Sequence, residues 1–258
     1  MMSFLSWGGR PSCPANPEEK KLVEDGFLYL KERISLDRLR KATVIEPTPH
    51  FFPDQYDAST EAAKQMFARV CGYMGVDPAS LGLGFLQGEE SGQAIEMKGD
   101  FGSHQTTKGA AGYYAQSDGM DQVWVKEDEL KDPEALVATM AHELAHVVLL
   151  GRSAMSHHEP HLEAITDLAT IYLGLGIFTS NMLLRRKGWV EGNREYWQLQ
   201  RKGYISPEMA GWALSLFAFV RGESDPKWAK HLDADGKGYL KQGLRYLQKT
   251  GDQSFLTA

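Results

Sequence analysis

Two histidines and a glutamate lie within one five-residue stretch of the chain, His142-Glu143-Leu144-Ala145-His146. Residues four apart share one face of an α-helix, so both imidazoles can reach a single Zn²⁺ at about 2.0–2.1 Å. Glu143 would lie beside this metal rather than on it, and its carboxylate could take a proton from a zinc-bound water. The spacing therefore predicts His142 and His146 as zinc ligands and Glu143 as a general base. A third protein ligand is still required.

The third ligand is expected shortly after His146. The residues there that could bind zinc are His157, His158, Glu159, His161 and Glu163. Glu163 is preferred, because Asp167 follows it by one helical turn and faces the same way. A carboxylate from a neighbouring helix would complete a His₂Glu site with an open fourth position, the arrangement of catalytic zinc sites. Asp167 would accept the outer N–H of a ligand histidine and fix its tautomer.

Cap residues and apolar spacing predict helices along most of the chain. Asn16 and Pro17 begin the first helix, and Asp132 and Pro133 begin the helix that carries the motif. Further helices are predicted at residues 63–74, at 162–175, after Ser206 and in the last segment. The helix after Ser206 is apolar on nearly all sides, so we expect it to be buried. Residues 233–238 resemble a calcium-binding loop, but no register supplies the required ligands, which predicts a turn.

The stretch before the motif helix changes to a period of two, which is typical of strands. Strands are predicted at residues 81–85, 94–97, 110–114 and 122–126. The last two flank a turn signal and are expected to form a hairpin or neighbouring strands of one sheet. The sequence thus predicts an α+β fold, in which a small mixed sheet packs on the motif helix and a mainly helical part follows.

Three prolines, Pro47, Pro49 and Pro53, indicate an extended connector after the first helix. We therefore predict three segments along the chain. They are an N-terminal helical arm at residues 1–45, a metal-binding core at 46–180, and a helical C-terminal subdomain at 181–258 that packs on the core.

The composition limits the classes of partner. The 258 residues are 42% hydrophobic and 24% charged, as in globular proteins, and the net charge of −6 argues against nucleic acid or an anionic membrane. The only cysteines, Cys13 and Cys71, lack metal-ligand spacing and are expected to be free thiols in a reducing compartment. We find no secretory leader and no run of about 18 apolar residues, which predicts a cytoplasmic protein without a membrane partner. The oligomeric state is not indicated.

The two motifs together resemble the gluzincin branch of the zincin metallopeptidases, the thermolysin-like enzymes. That family has H-E-x-x-H on one helix and E-x-x-x-D on the next, matched here by residues 142–146 and by Glu163-Ala164-Ile165-Thr166-Asp167. The likeness covers roughly residues 110–176. The gap before Glu163 is short, so a compact gluzincin-like core is the closer comparison. The metzincin pattern fails, because Leu149 and Arg152 stand where it requires glycine and a histidine or aspartate.

The resemblance implies a zincin-like fold with His142, His146 and Glu163 as zinc ligands, Glu143 as general base and Asp167 as the orienting carboxylate. It also implies that a strand before the motif helix pairs with an extended peptide or protein substrate. The function expected from it is that of a zinc metallopeptidase. One alternative is a catalytically silent zincin-like binding or regulatory module that retains zinc. A structural alternative is a helix pair in which the histidines are incidental.

Overall fold

A computed structural model of the chain describes residues 11–86, 111–117, 120–150, 161–190 and 205–252. The helices are α1 (Pro17–Ile34), α2 (Leu36–Lys41), α3 (Thr60–Met74), α4 (Pro133–Leu150), α5 (Leu162–Tyr172), α6 (Gly176–Val190), α7 (Pro207–Val220) and α8 (Ala234–Thr250). The strands are β1 (Leu81–Leu86), β2 (Gly112–Ser117) and β3 (Met120–Lys126). Short 3₁₀ helices span Pro78–Ser80, Glu127–Lys131 and Lys227–His231. The fold is mixed α+β, as predicted.

The strands form a small mixed sheet in the order β1-β3-β2. β1 is parallel to β3, and β2 is antiparallel to it, with Tyr114 opposite Val123 and Gly112 opposite Val125. The side chains of Tyr114, Val123 and Val125 are buried and belong to the hydrophobic core. The predicted neighbouring strands at 110–114 and 122–126 are thus confirmed, while the predicted strand at 94–97 lies outside the described residues. β2 is an edge strand of this described sheet.

The motif helix α4 packs against other elements on several sides. Asp132 caps it by accepting the Ala135 backbone N–H at 3.1 Å, as the sequence predicts. The sequence also predicts packing against the sheet, and α4 does contact β2 and β3, but it packs against α3, α5 and α6 as well. As a result Leu136, Met140 and Leu144 have no exposed surface. Burial on several sides holds the motif residues in a rigid setting.

The first helix packs on the helix that carries Glu163 and Asp167. Asn16 begins α1 with a complete capping box. Its side chain accepts two backbone N–H groups, and the Glu19 side chain accepts the backbone N–H of Asn16. Gly26 then permits close contact with α5, because a Cβ there would lie 2.5 Å from Leu168. The Tyr172 hydroxyl at the end of α5 donates to the Ser35 carbonyl at 2.9 Å. Side chains from all three predicted segments enter one core, and the division into segments stays a prediction.

Two predicted elements differ from the structure. The helix predicted at 162–175 ends at Tyr172, and the chain turns at Gly174 with a φ of 98° before α6 begins at Gly176. The turn predicted at 233–238 is wrong, because α8 begins at Ala234. α8 packs closely on α7, and a Cβ at Gly243, further along this helix, would lie 2.2 Å from the Ser215 hydroxyl oxygen. Packing along the helix therefore outweighs the low helix propensity of its glycines.

None of the described helices combines the length and the apolar character that crossing a bilayer requires.

Candidate metal centre

The two motif histidines lie one turn apart on α4, with both rings on the side that faces α5. Their ring centroids are 5.0 Å apart and the rings are inclined at 79°. His146 is buried, at 7% exposure, and the His142 side chain is 13% exposed. The shared face that the i, i+4 spacing predicts is therefore present in the fold.

Glu163 lies in the first turn of α5 and directs its carboxylate between the two imidazoles. Its Oε2 is 3.0 Å from His142 Nε2 and 3.6 Å from His146 Nε2. Ligands of a tetrahedral zinc, with bonds of about 2.0–2.2 Å, lie roughly 3.4 Å apart. The ligand atoms of these three residues all lie within 4.8 Å of one another, so the group could hold a metal ion. The sequence-based choice of Glu163 matches this arrangement.

Asp167 lies behind His142, on the side away from Glu163. Its Oδ1 is 2.8 Å from His142 Nδ1, and the residue is only 5% exposed. Accepting an N–H from Nδ1 leaves His142 Nε2 as the atom directed at the carboxylate of Glu163. The other oxygen of Asp167, Oδ2, is buried with no hydrogen-bond partner in the part of the chain that the structure describes. The carboxylate of Asp167 is thus placed to orient the ring of His142, as the sequence predicts for one of the two histidines.

The charges of the group are tightly coupled. Burial disfavours the imidazolium of His142, but hydrogen bonds to Asp167 and Glu163 outweigh it and raise the pKa of His142 well above its ordinary value. Burial also disfavours the charged form of Glu163, yet hydrogen bonds to His142 and His146 hold the pKa of this carboxyl far below its usual range. The two carboxylates thus favour a proton on His142, and a divalent cation bound to the same atoms would replace that proton.

Glu143 lies at the wall of an open cavity next to the histidines. The residue is 5% exposed and lines a small cavity of about 40 Å³ that opens to solvent. The cavity is lined from several elements, with Gly112 of β2, Thr139 of α4, Asp167 of α5 and Met182 of α6 among its walls. Glu163 and His146 are not among the lining residues, so the cavity extends from the Glu143 side of the group.

Gly112 allows the edge strand to approach this carboxylate closely. A Cβ at Gly112 would lie 3.2 Å from Glu143 Oε1, 2.8 Å from the Thr139 methyl group and 2.7 Å from the Trp124 carbonyl oxygen. Real Cβ atoms essentially never come within 3.0 Å of such neighbours. The absence of a side chain at Gly112 therefore sets the spacing between β2 and the motif helix.

The other candidate ligands do not join the group. His161 precedes α5 in a left-handed conformation with a φ of 67°, and its side chain is exposed. His157, His158 and Glu159 lie outside the described residues. The sequence did not indicate Gly112 and Thr166 as site residues, although both lie near the motif residues. The Thr166 hydroxyl is 3.4 Å from His146 Nδ1. A glycine inside a predicted strand is a visible signal of close backbone approach, whereas Thr166 carries no ligand signature of its own.

Comparisons with family models, with curated proteins and with solved structures give no match to this chain.

Proposed function

We propose that this protein is a zinc-dependent metallohydrolase that cleaves peptide bonds, with a zincin-like site formed by α4 and α5. The observation that carries the proposal is the convergence of His142, His146 and Glu163 on one point, with Glu143 between the two histidines in sequence. Two nitrogen ligands and one carboxylate are the donors of several catalytic zinc sites, and three protein ligands leave a position for water. A structural zinc site would be expected to supply a fourth protein ligand.

Each residue has a separate task in this proposal. His142, His146 and Glu163 would hold the metal, and when bound it supplies a Lewis acid that lowers the pKa of a water molecule and polarises a carbonyl. The Glu143 carboxylate accepts a proton from the attacking water and returns it to the leaving amine nitrogen. Asp167 keeps the Nδ1–H of His142 in a hydrogen bond, so that Nε2 remains the ligand atom.

The position of β2 supports a peptide as the substrate. β2 is an edge strand of the described sheet and contacts α4. An extended peptide segment could add to such an edge through main-chain hydrogen bonds, which suits substrates of varied sequence. Gly112 brings this strand beside Glu143. A bound segment would therefore pass close to the proposed base.

The cysteines support a reducing compartment, consistent with the cytoplasm. Cys13 is half-buried, Cys71 is buried, and both are free thiols. Free cysteines are typical of proteins that work where disulfides do not persist.

The proposal is tested by metal content and by one substitution. We expect the purified protein to retain about one zinc per chain after dialysis, and Glu143→Gln to keep the zinc while losing hydrolysis of a peptide library by at least about 100-fold. The substitution keeps the shape of the side chain but removes its ability to take a proton. Full hydrolysis by Glu143→Gln would overturn the assignment of the base. Stoichiometric zinc without hydrolysis by the unmodified protein would instead indicate a binding module.

A further inference from the structure

The two histidines have different outer partners. His142 pairs with the carboxylate of Asp167, whereas His146 has the hydroxyl of Thr166 at 3.4 Å from its Nδ1. Thr166 has no exposed surface, and its hydroxyl lies on the same helix as Glu163, one turn further on. The ring of Tyr114 also lies alongside His146, with centroids 6.1 Å apart and planes inclined at 17°.

The hydrogen bonds of Thr166 determine what it can offer His146. A threonine hydroxyl has one hydrogen to donate and two lone pairs that accept. Thr166 donates its hydrogen to the Leu162 carbonyl at 2.8 Å. Towards His146 it can then act only as an acceptor, which requires the hydrogen of the neutral imidazole to be on Nδ1. The lone pair is left on Nε2, the atom that lies 3.6 Å from Glu163 Oε2.

We propose that Thr166 is a positioning residue that fixes the Nδ1–H tautomer of His146 and so prepares its Nε2 for the metal. This inference rests on the proposed metal site and adds to it an uncharged partner for the second histidine. Thr166 adds no charge to the site. In the described residues, the carboxylates paired with the two histidines are those of Asp167 and Glu163. Outer partners of this kind change metal affinity by about 10- to 100-fold. The long Thr166–His146 distance places the expected effect near tenfold.

The first experiment measures zinc affinity of the full-length protein by competition with a chromophoric chelator. We expect Thr166→Val, which keeps the shape but removes the acceptor, to weaken zinc binding about tenfold. Thr166→Ser should restore it. Thr170→Val is the matched control, since Thr170 is equally buried on α5 and bonds to the Asp167 carbonyl and to Thr179 rather than to a ligand histidine. We expect this control to keep the zinc affinity of the unmodified protein.

The outcomes separate the inference from the proposed function. If the unmodified protein binds no zinc, the proposed function fails and the inference fails with it. If it binds zinc and Thr166→Val binds equally well, only the inference is overturned. An equal loss in Thr170→Val would also overturn it, because the effect would then reflect general damage to α5.

A second measurement needs no variant and decides the case if Thr166→Val does not fold. Nitrogen-15 spectra of the zinc-loaded unmodified protein should place the metal on Nε2 of His146 and a hydrogen on Nδ1. That hydrogen should exchange slowly with water, because a buried hydroxyl accepts it. Metal on Nδ1, or exchange as fast as that of an exposed imidazole, would overturn the inference.

Discussion

Gly112→Ala tests whether the edge strand must approach the motif helix as closely as the structure shows. The new methyl group would lie 2.7 Å from the Trp124 carbonyl oxygen and 2.8 Å from the Thr139 methyl group. Both distances fall about 0.6–0.7 Å short of ordinary van der Waals contact, which begins at 3.4 Å. One neighbour is backbone of the paired strand β3, so it cannot move aside as a flexible side chain would.

We expect two effects of this substitution. Forcing an added carbon into a packed position costs typically about 1–3 kcal/mol of unfolding free energy. The strand or α4 must also shift, and Glu143, whose Oε1 lies 3.2 Å from the added carbon, shifts with it. Displacement of a catalytic group by about 1 Å can reduce rates about 100-fold, so the smaller shift here should reduce hydrolysis at least about tenfold. Zinc content should change little, since the carbon contacts none of the three ligands.

Urea denaturation, zinc content and peptide hydrolysis measure these effects together. Gly72→Ala is the matched control, because Gly72 lies within α3 and a Cβ there would meet no atom within 4 Å. That substitution should raise the unfolding free energy by about 0.5–1 kcal/mol, since alanine loses less backbone entropy in a helix. If Gly112→Ala behaved like Gly72→Ala, with higher stability and full hydrolysis, the close approach of β2 to Glu143 would be refuted.

Two further predictions follow from the pKa of buried groups. The pKa of His142 is higher in the folded protein than in the unfolded chain, where it is about 6.5. Its imidazolium therefore stabilises the metal-free protein fully below that unfolded pKa, and the stabilisation is lost as the pH rises through the pKa of the folded state. Urea midpoints in the presence of a chelator should therefore fall over this range, and a similar fall in His142→Gln would contradict the assignment. Burial raises the pKa of the Cys71 thiol to about 12. A thiol reagent at pH 8 should therefore label Cys71 only after unfolding. Rapid labelling of the native protein would be inconsistent with that burial.

The local part of the site could be predicted because it depends on helix periodicity. His142 and His146 are four residues apart, as are Glu163 and Asp167, and a helix places each pair on one face wherever the helix lies. The caps at Asn16 and Asp132 likewise act within one turn, and the structure contains both.

The structure differs from the sequence-based predictions where contacts between distant residues outweigh local helix preference. The apolar spacing predicts a helix over 162–175, but the helix ends at Tyr172. The chain turns at Gly174, where φ is 98° and a Cβ would lie 2.2 Å from the Thr43 carbonyl oxygen, so only glycine suits this turn against the N-terminal region. The incomplete calcium-loop pattern predicts a turn at 233–238, but the close packing of α8 on α7 stabilises a helix there.

The sequence by itself thus determined that His142 and His146 share one helix face with Glu143 between them in sequence, and that Glu163 and Asp167 share another, since those relations are set within single helices. The tertiary structure alone decided that Glu163 points at both histidines, that Asp167 supports His142 and Thr166 faces His146, and that Gly112 brings an edge strand against Glu143. These are contacts between separate elements. Their distances depend on how α4, α5 and β2 pack in the common core, and no spacing along the chain specifies that packing.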